Sequence, residues 1–215
     1  MDGNGFVAGE GRWKRPRRRG LRKRAFGLLQ VAALAGLALV AGSRWPESGA
    51  LDVLPIALGY GLVALALGFR IWASLFIAGY KQARLATEGP YALCRNPLYL
   101  GMLVAALGVA LTTRTVTFPL LVLAGFLAYY PSVLRREEAK LSRVFGAAYR
   151  RWCATTPALI PRRLLLDNPP ARTVDPRAVA RQTFDALRAV GALGFVQAIA
   201  ELHRLGDLPV WLRLY

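Results

Sequence analysis

Uncharged stretches and basic blocks alternate along this chain. Ala25 to Gly42 holds no charged residue, and eighteen residues at about 1.5 Å each reach about 27 Å, close to the hydrocarbon thickness of a bilayer. A first spanning helix is predicted there. Val53 to Phe69 is again uncharged and predicts a second span, with Arg70 able to snorkel and the helix continuing towards Tyr80. Gly89-Pro90 then breaks the helical pattern. Pro97 suits the first position of a third helix running to Leu111. At about 22 Å that helix is short for a full crossing unless one end lies inside protein. Thr112 to Thr115 predicts a tight turn around Arg114. Val116 to Leu134 predicts a fourth span, and the charged segment from Arg135 stays in helical register.

Beyond Arg163 the pattern changes. Asp167-Asn168-Pro169-Pro170 reads as a linker, and Asp175-Pro176 as a cap with a first-turn proline. Val179, Leu187, Val190, Leu193, Ile199 and Leu202 then recur at roughly helical spacing, and Gly206 stops the pattern. The uncharged run Ala189 to Ala200 is too short to span. It predicts an amphipathic helix lying on the membrane or packed against the bundle. The fold class expected is all-α: a multi-pass transmembrane bundle of about four spans, with a cytoplasmic helical cap and a C-terminal amphipathic helix. The organisation expected is a basic tail over 1–24, the bundle over 25–134, the cap over 135–163 and an extension over 164–215.

Composition supports this class. Of 215 residues, 55% are hydrophobic and 19% charged, yet the net charge is +17. A disordered basic protein would lack the Leu, Val and Ala that fill this chain, and Cys94 and Cys153 are too few for a disulfide-stapled module. Nucleic-acid binding is not expected, because the charge sits in blocks between apolar runs. Nine basic residues lie between Arg12 and Arg24, one follows the first span (Arg44), three lie between Lys81 and Arg95, one is in the next turn (Arg114), and eight lie between Arg135 and Arg163. By the positive-inside rule the rich connections face the cytoplasm, which predicts both termini there, in a bacterial inner membrane. A twin-arginine export signal at Lys23-Arg24-Ala25-Phe26 is the competing reading of the N-terminal region.

Two of the cytoplasmic segments are dense in polar groups. In Thr87 to Gly101 a turn leads through Asn96, restrained by the following proline, into a helix N-terminus. Free backbone N–H groups there, with Arg95 beside them, suit a carboxylate or phosphate. Gly101, one turn in, leaves room for a ligand or another helix. In the second segment Glu137 and Glu138 point about 100° apart on a helix, so at most one is expected to face the Arg95 loop. Phe145 to Trp152 and Thr156 to Pro161 supply an aromatic cap. His203 is expected to be a surface or packing residue, Cys94 an incidental one, and no metal site is expected.

Glu88-Gly89-Pro90-Tyr91, Arg95-Asn96-Pro97-Leu98-Tyr99-Leu100-Gly101, Glu137-Glu138-x-x-Leu141, Phe145-Gly146-x-x-Tyr149 and Pro157-x-x-Ile160-Pro161 occur in this order. Together they resemble the isoprenylcysteine carboxyl methyltransferase family, within the integral-membrane methyltransferases that include phospholipid N-methyltransferases. The likeness covers about Val53 to Arg163. It implies a membrane enzyme that uses S-adenosylmethionine in a cytoplasmic pocket and acts on a lipophilic or lipidated acceptor among the membrane lipids, by O- or N-methylation. Carried over by position, it implies Arg95 and Glu138 as catalytic residues, and Tyr91, Asn96, Pro97, Tyr99, Gly101, Glu137 and Tyr149 around the cofactor. Asn96 departs from the His of many members and cannot titrate near neutral pH. The alternatives are an NADPH-dependent membrane reductase of the sterol-reductase type, which resembles the family in the same loop, and a non-enzymatic membrane scaffold.

Overall fold

The computed structural model describes residues 32–43, 50–77, 85–161 and 176–215. The first helix, α1, is described over 32–40, and a short strand β1 (Ala41–Ser43) follows. The expected span therefore gives way to extended chain two residues before Gly42; its beginning, 25–31, lies outside the described residues, as do the basic tail and the 167–170 linker. Next come α2 (Ala50–Ile77), the single-turn α3 (Pro90–Leu93), α4 (Pro97–Leu111), α5 (Thr117–Thr155), α6 (Pro176–Leu205) and strand β2 (Leu212–Leu214). The molecule is mostly helical, and α4, α5 and α6 begin or end within a residue of the sequence expectation.

Two helices are long and apolar enough to cross a membrane, α2 from Val53 and α5, whereas α4 has only fifteen residues. Helix α4 runs antiparallel to α2, and the crossing is made by glycines. A Cβ on Gly59 would stand 2.5 Å from the Gly108 carbonyl oxygen, and one on Gly108 2.7 Å from that of Gly59. Bare backbones let the rods approach closely where lipid supplies no hydrophobic drive. Further along the same crossing, Arg70 Cγ fills the space over Gly101. The room expected beside Gly101 is thus taken by the neighbouring helix.

Helix α5 returns antiparallel to α4. Phe118 packs with Ala38 and Ala110 at one end; towards the other, the Tyr130 hydroxyl lies 3.3 Å from Met102 Sδ and the Tyr130 ring stacks on Phe126. One side of α5 is exposed at Leu120, Leu121, Leu123 and Leu127.

Of the two placements expected for the C-terminal helix, the one found is against the bundle: α6 packs on α2 and α4, and Gln197 Nε2 donates to the Thr112 carbonyl. Strand β2 pairs in parallel with β1. The Tyr215 carbonyl oxygen accepts from Val116 and Thr117 N–H and from the Thr117 hydroxyl, capping α5. Tyr215 therefore sits beside the Arg114 turn, at the opposite end of α4 from Arg95. The sequence reading puts the C-terminus at the Arg95 end; the segment lies instead at the far end of α4, where the Tyr215 carbonyl serves the first turn of α5, which has no side-chain cap of its own.

Candidate active site

The site is built at the Arg95 end by two turns that only glycine makes easily. Gly89 has φ 58° and ψ −128°, and a Cβ there would lie 2.4 Å from the Phe76 ring. With Pro90 next, the Tyr91 N–H donates to the Glu88 carbonyl, closing the turn. The second glycine, Gly146, has φ 53° and ψ −121° inside α5. It breaks the helix direction so that the last ten residues fold back over the loop.

The returning segment is zipped to that loop. Arg95 N–H donates to the Pro157 carbonyl at 2.9 Å, and Asn96 Nδ2 donates to the Ala158 carbonyl at 2.9 Å. Asn96 is thus engaged in holding the cap. Pro97 is buried at the first position of α4. Arg95 Nη1 lies 3.2 Å from Glu138 Oε1, and both side chains are mostly buried. Glu138, not Glu137, is therefore the carboxylate on Arg95. Glu137 is exposed but stands by the Tyr99 hydroxyl and within the field of Tyr91. Glu138 thus faces the Arg95 loop, while Glu137, about 100° round the helix, stands by the start of α4.

Beside the ion pair lie buried polar atoms that lack hydrogen bonds: Arg95 Nε, Tyr149 Oη and Trp152 Nε1. Tyr149 and Trp152 meet edge to face at 5.7 Å, and Trp152 packs on the Ala73, Phe76 and Tyr91 cluster. Burial works against the Arg95 charge, but the adjoining Cys153 and Glu138 more than restore it, so its pKa stands above the ordinary arginine value. Burial likewise pushes the Tyr91 phenol up, reinforced by Cys94 and Glu137. The Cys94 thiol, fully buried, is pushed up to about 11 by burial, with the Asn96 backbone N–H pulling the other way. It is a protonated packing group.

Buried polar atoms without partners are costly, about 1–3 kcal/mol each, and here three of them adjoin the ion pair. A charge pair that is incompletely hydrogen-bonded matches a zwitterion, carboxylate on Arg95 and ammonium on Glu138. The residues fit the amino-acid part of S-adenosylmethionine, and the Tyr149 and Trp152 rings fit a cation or a flat base. The sequence gives Trp152 only as one aromatic of the cap and gives Cys153 no place in the site. The i, i+3 spacing of Trp152 from Tyr149 was the available signal, but only the Gly146 break turns that face to the loop.

Comparison with known proteins agrees with the ordered motifs. The phospholipid methyltransferase family matches residues 33–148. The chain belongs to this family. Its match starts in α1 and ends one residue before Tyr149, so it takes in the Arg95 loop and both glutamates. The chain is also similar to the nickel-cobalt-cadmium resistance protein NccN of Alcaligenes xylosoxydans xylosoxydans, 30% identical over 86% of each chain. It is 32% identical to the cobalt-zinc-cadmium resistance protein CzcN of Cupriavidus metallidurans, over 77% of this chain and 76% of that one. No solved structure matches. Among the described residues, no three of His, Cys, Asp and Glu gather as a metal-binding group.

Proposed function

We propose that this protein is a multi-pass membrane methyltransferase that uses S-adenosylmethionine on a lipophilic or lipidated acceptor, with its site on the cytoplasmic side. The observation that carries the reading is the Arg95–Glu138 pair at 3.2 Å within a wall of unpartnered buried polar atoms, in a chain of the phospholipid methyltransferase family. In this reading α1, α2, α4 and α5 make four crossings, and α6 carries the chain back from the Arg95 side to the Arg114 end.

Arg95 takes the cofactor's carboxylate and Glu138 its ammonium, while Tyr91, Tyr149 and Trp152 shield the site from water. When bound, S-adenosylmethionine supplies an electrophilic methyl on a sulfonium centre. Methyl transfer depends on alignment more than on acid–base work, and the protein's share is to hold the donor in place and admit the acceptor. In this reading the acceptor enters between α4 and α5, beside the Tyr99–Tyr130 ring contact at 5.5 Å. Glu137, next to Tyr99, is placed to take a proton from an amine acceptor; a carboxylate acceptor needs none. The names of the two relatives support a product that serves metal tolerance, through a modified membrane component.

The test is incubation of membranes containing the protein with methyl-labelled S-adenosylmethionine, followed by solvent extraction. Label is expected in the lipid-soluble fraction. Arg95→Ala and Glu138→Gln should each reduce incorporation about ten- to a hundredfold, the effect of losing one charged hydrogen-bond contact of about 1.5–3 kcal/mol. Tight binding of NADPH without binding of S-adenosylhomocysteine would overturn the assignment in favour of a reductase. Unchanged S-adenosylhomocysteine binding in both variants, with no label transferred by the parent, would point to a scaffold.

A further inference from the structure

A cavity of about 370 Å³ lies at the opposite end of the bundle from Arg95. Its walls come from α1 and β1, the turn between α4 and α5, α6, and the segment ending in β2. They are held independently of any ligand. Ser43 Oγ donates to the Arg114 carbonyl at 2.8 Å, His203 Nε2 meets the Leu39 carbonyl at 3.0 Å, and Trp211 N–H donates to the Val40 carbonyl. The cavity is therefore a product of the tertiary structure and is largely preformed, as ligand sites are.

Its lining is one-sided in charge. Arg114, Arg213 and His203 are among the lining residues, with hydroxyls from Ser43, Thr113 and Thr115, and no lining residue is acidic. A concavity of this composition in low-dielectric walls concentrates anions, and arginine's planar fork matches phosphate and carboxylate oxygens. The backbone adds an independent sign. Arg114 has φ 55° and is the one non-glycine among the described residues with positive φ. After a helix end this slot belongs by preference to glycine or asparagine. A long cationic side chain retained there, at a cost of about 1–3 kcal/mol, is the kind of strain that clusters at ligand clamps. Flanking the lining residues Val210 and Arg213 in sequence, Trp211 is 79% exposed and Tyr215 63% exposed, as in residues placed at a membrane–water boundary.

We propose that this cavity is a second binding site, for a phosphate-bearing anion, with Arg114 and Arg213 as its cations. The ligand is either free phosphate or the headgroup of an anionic phospholipid from the leaflet opposite the Arg95 site. The site stands whether or not the Arg95 end performs methyl transfer.

The test uses the purified full-length protein in phosphatidylcholine nanodiscs. Inorganic phosphate is titrated in one arm, and phosphatidylglycerol is mixed into the discs in the other. The readouts are thermal midpoint and retention of ligand in native mass spectra. Arg114→Gly is the informative variant, because glycine relieves the left-handed backbone and the fold should be kept; Arg213→Gln is combined with it. A rise in midpoint with either ligand, weakened at least tenfold in the double variant, is expected. A response to phosphate identifies a free-anion site; a response to phosphatidylglycerol alone identifies a headgroup site. No retained ligand in either arm, or a double variant that binds within twofold of the parent, overturns the proposal.

Discussion

At the scale of single residues, the candidate site assigns different work to neighbours that look alike in the sequence. Arg95 and Asn96 adjoin, yet Arg95 is turned to Glu138 while Asn96 is bonded to the cap at Ala158. Glu137 and Glu138 likewise part company, one to Tyr99 and the other to Arg95. Cys94 sits inside this arrangement with its pKa raised from 9.0 to about 11. Its folded-state value exceeds its unfolded one, so the protonated thiol favours the fold fully below pH 9. That contribution fades as pH rises from there towards 11. Cys94 is expected to resist iodoacetamide at pH 8 in the folded protein and to react only after unfolding. Rapid labelling of Cys94 in the native state, read by peptide mass mapping, would contradict its buried, protonated state. The motif residues were legible from the chain; their partners were not, since Ala158 lies sixty-two positions from Asn96.

Among the elements, the break at Gly146 does most to make a site out of a straight rod. Nothing lies within 4 Å of a Cβ built there, so Gly146→Ala is opposed by backbone conformation and not by crowding. It should cost about 1–3 kcal/mol and reduce cofactor binding as Tyr149 and Trp152 swing away from the loop, measured by S-adenosylhomocysteine titration. Equal binding by the variant would show that the turn is not needed. The α2–α4 crossing has the opposite character. Gly108→Ala places a Cβ against the Gly59 carbonyl and Val63, an overpacking cost of about 1–3 kcal/mol. Gly61→Ala, in open space on α2, should instead gain up to about 1 kcal/mol of helix propensity. Thermal melts of the two variants in detergent should therefore move in opposite directions. Helix boundaries were legible because prolines, glycines and charge blocks mark them. The direction of the chain after Gly146 was not, because glycine's sequence signal is permission and carries no angle.

For the whole molecule, the segment after α6 decides which end holds what. Tyr215 caps α5 beside Arg114, far from Arg95. In a Cys153→Ser background, Trp211→Cys and Thr113→Cys are expected to react with an impermeant maleimide from the same side of the membrane, and Glu88→Cys from the other. Labelling of positions 211 and 113 from opposite sides would refute the arrangement. Taken alone, the sequence determined a helical membrane protein of methyltransferase kind, its turn positions and the residues of its charged loop. These follow from local rules: hydropathy over the length of a bilayer, proline and glycine chemistry, and ordered motifs. Only the tertiary structure decided that Glu138 meets Arg95, that Asn96 fastens the cap, that Arg70 fills the space at Gly101, and that residues 212–215 close a cationic cavity at the far end. Each depends on contacts between segments distant in the chain, which periodicity along one segment does not encode.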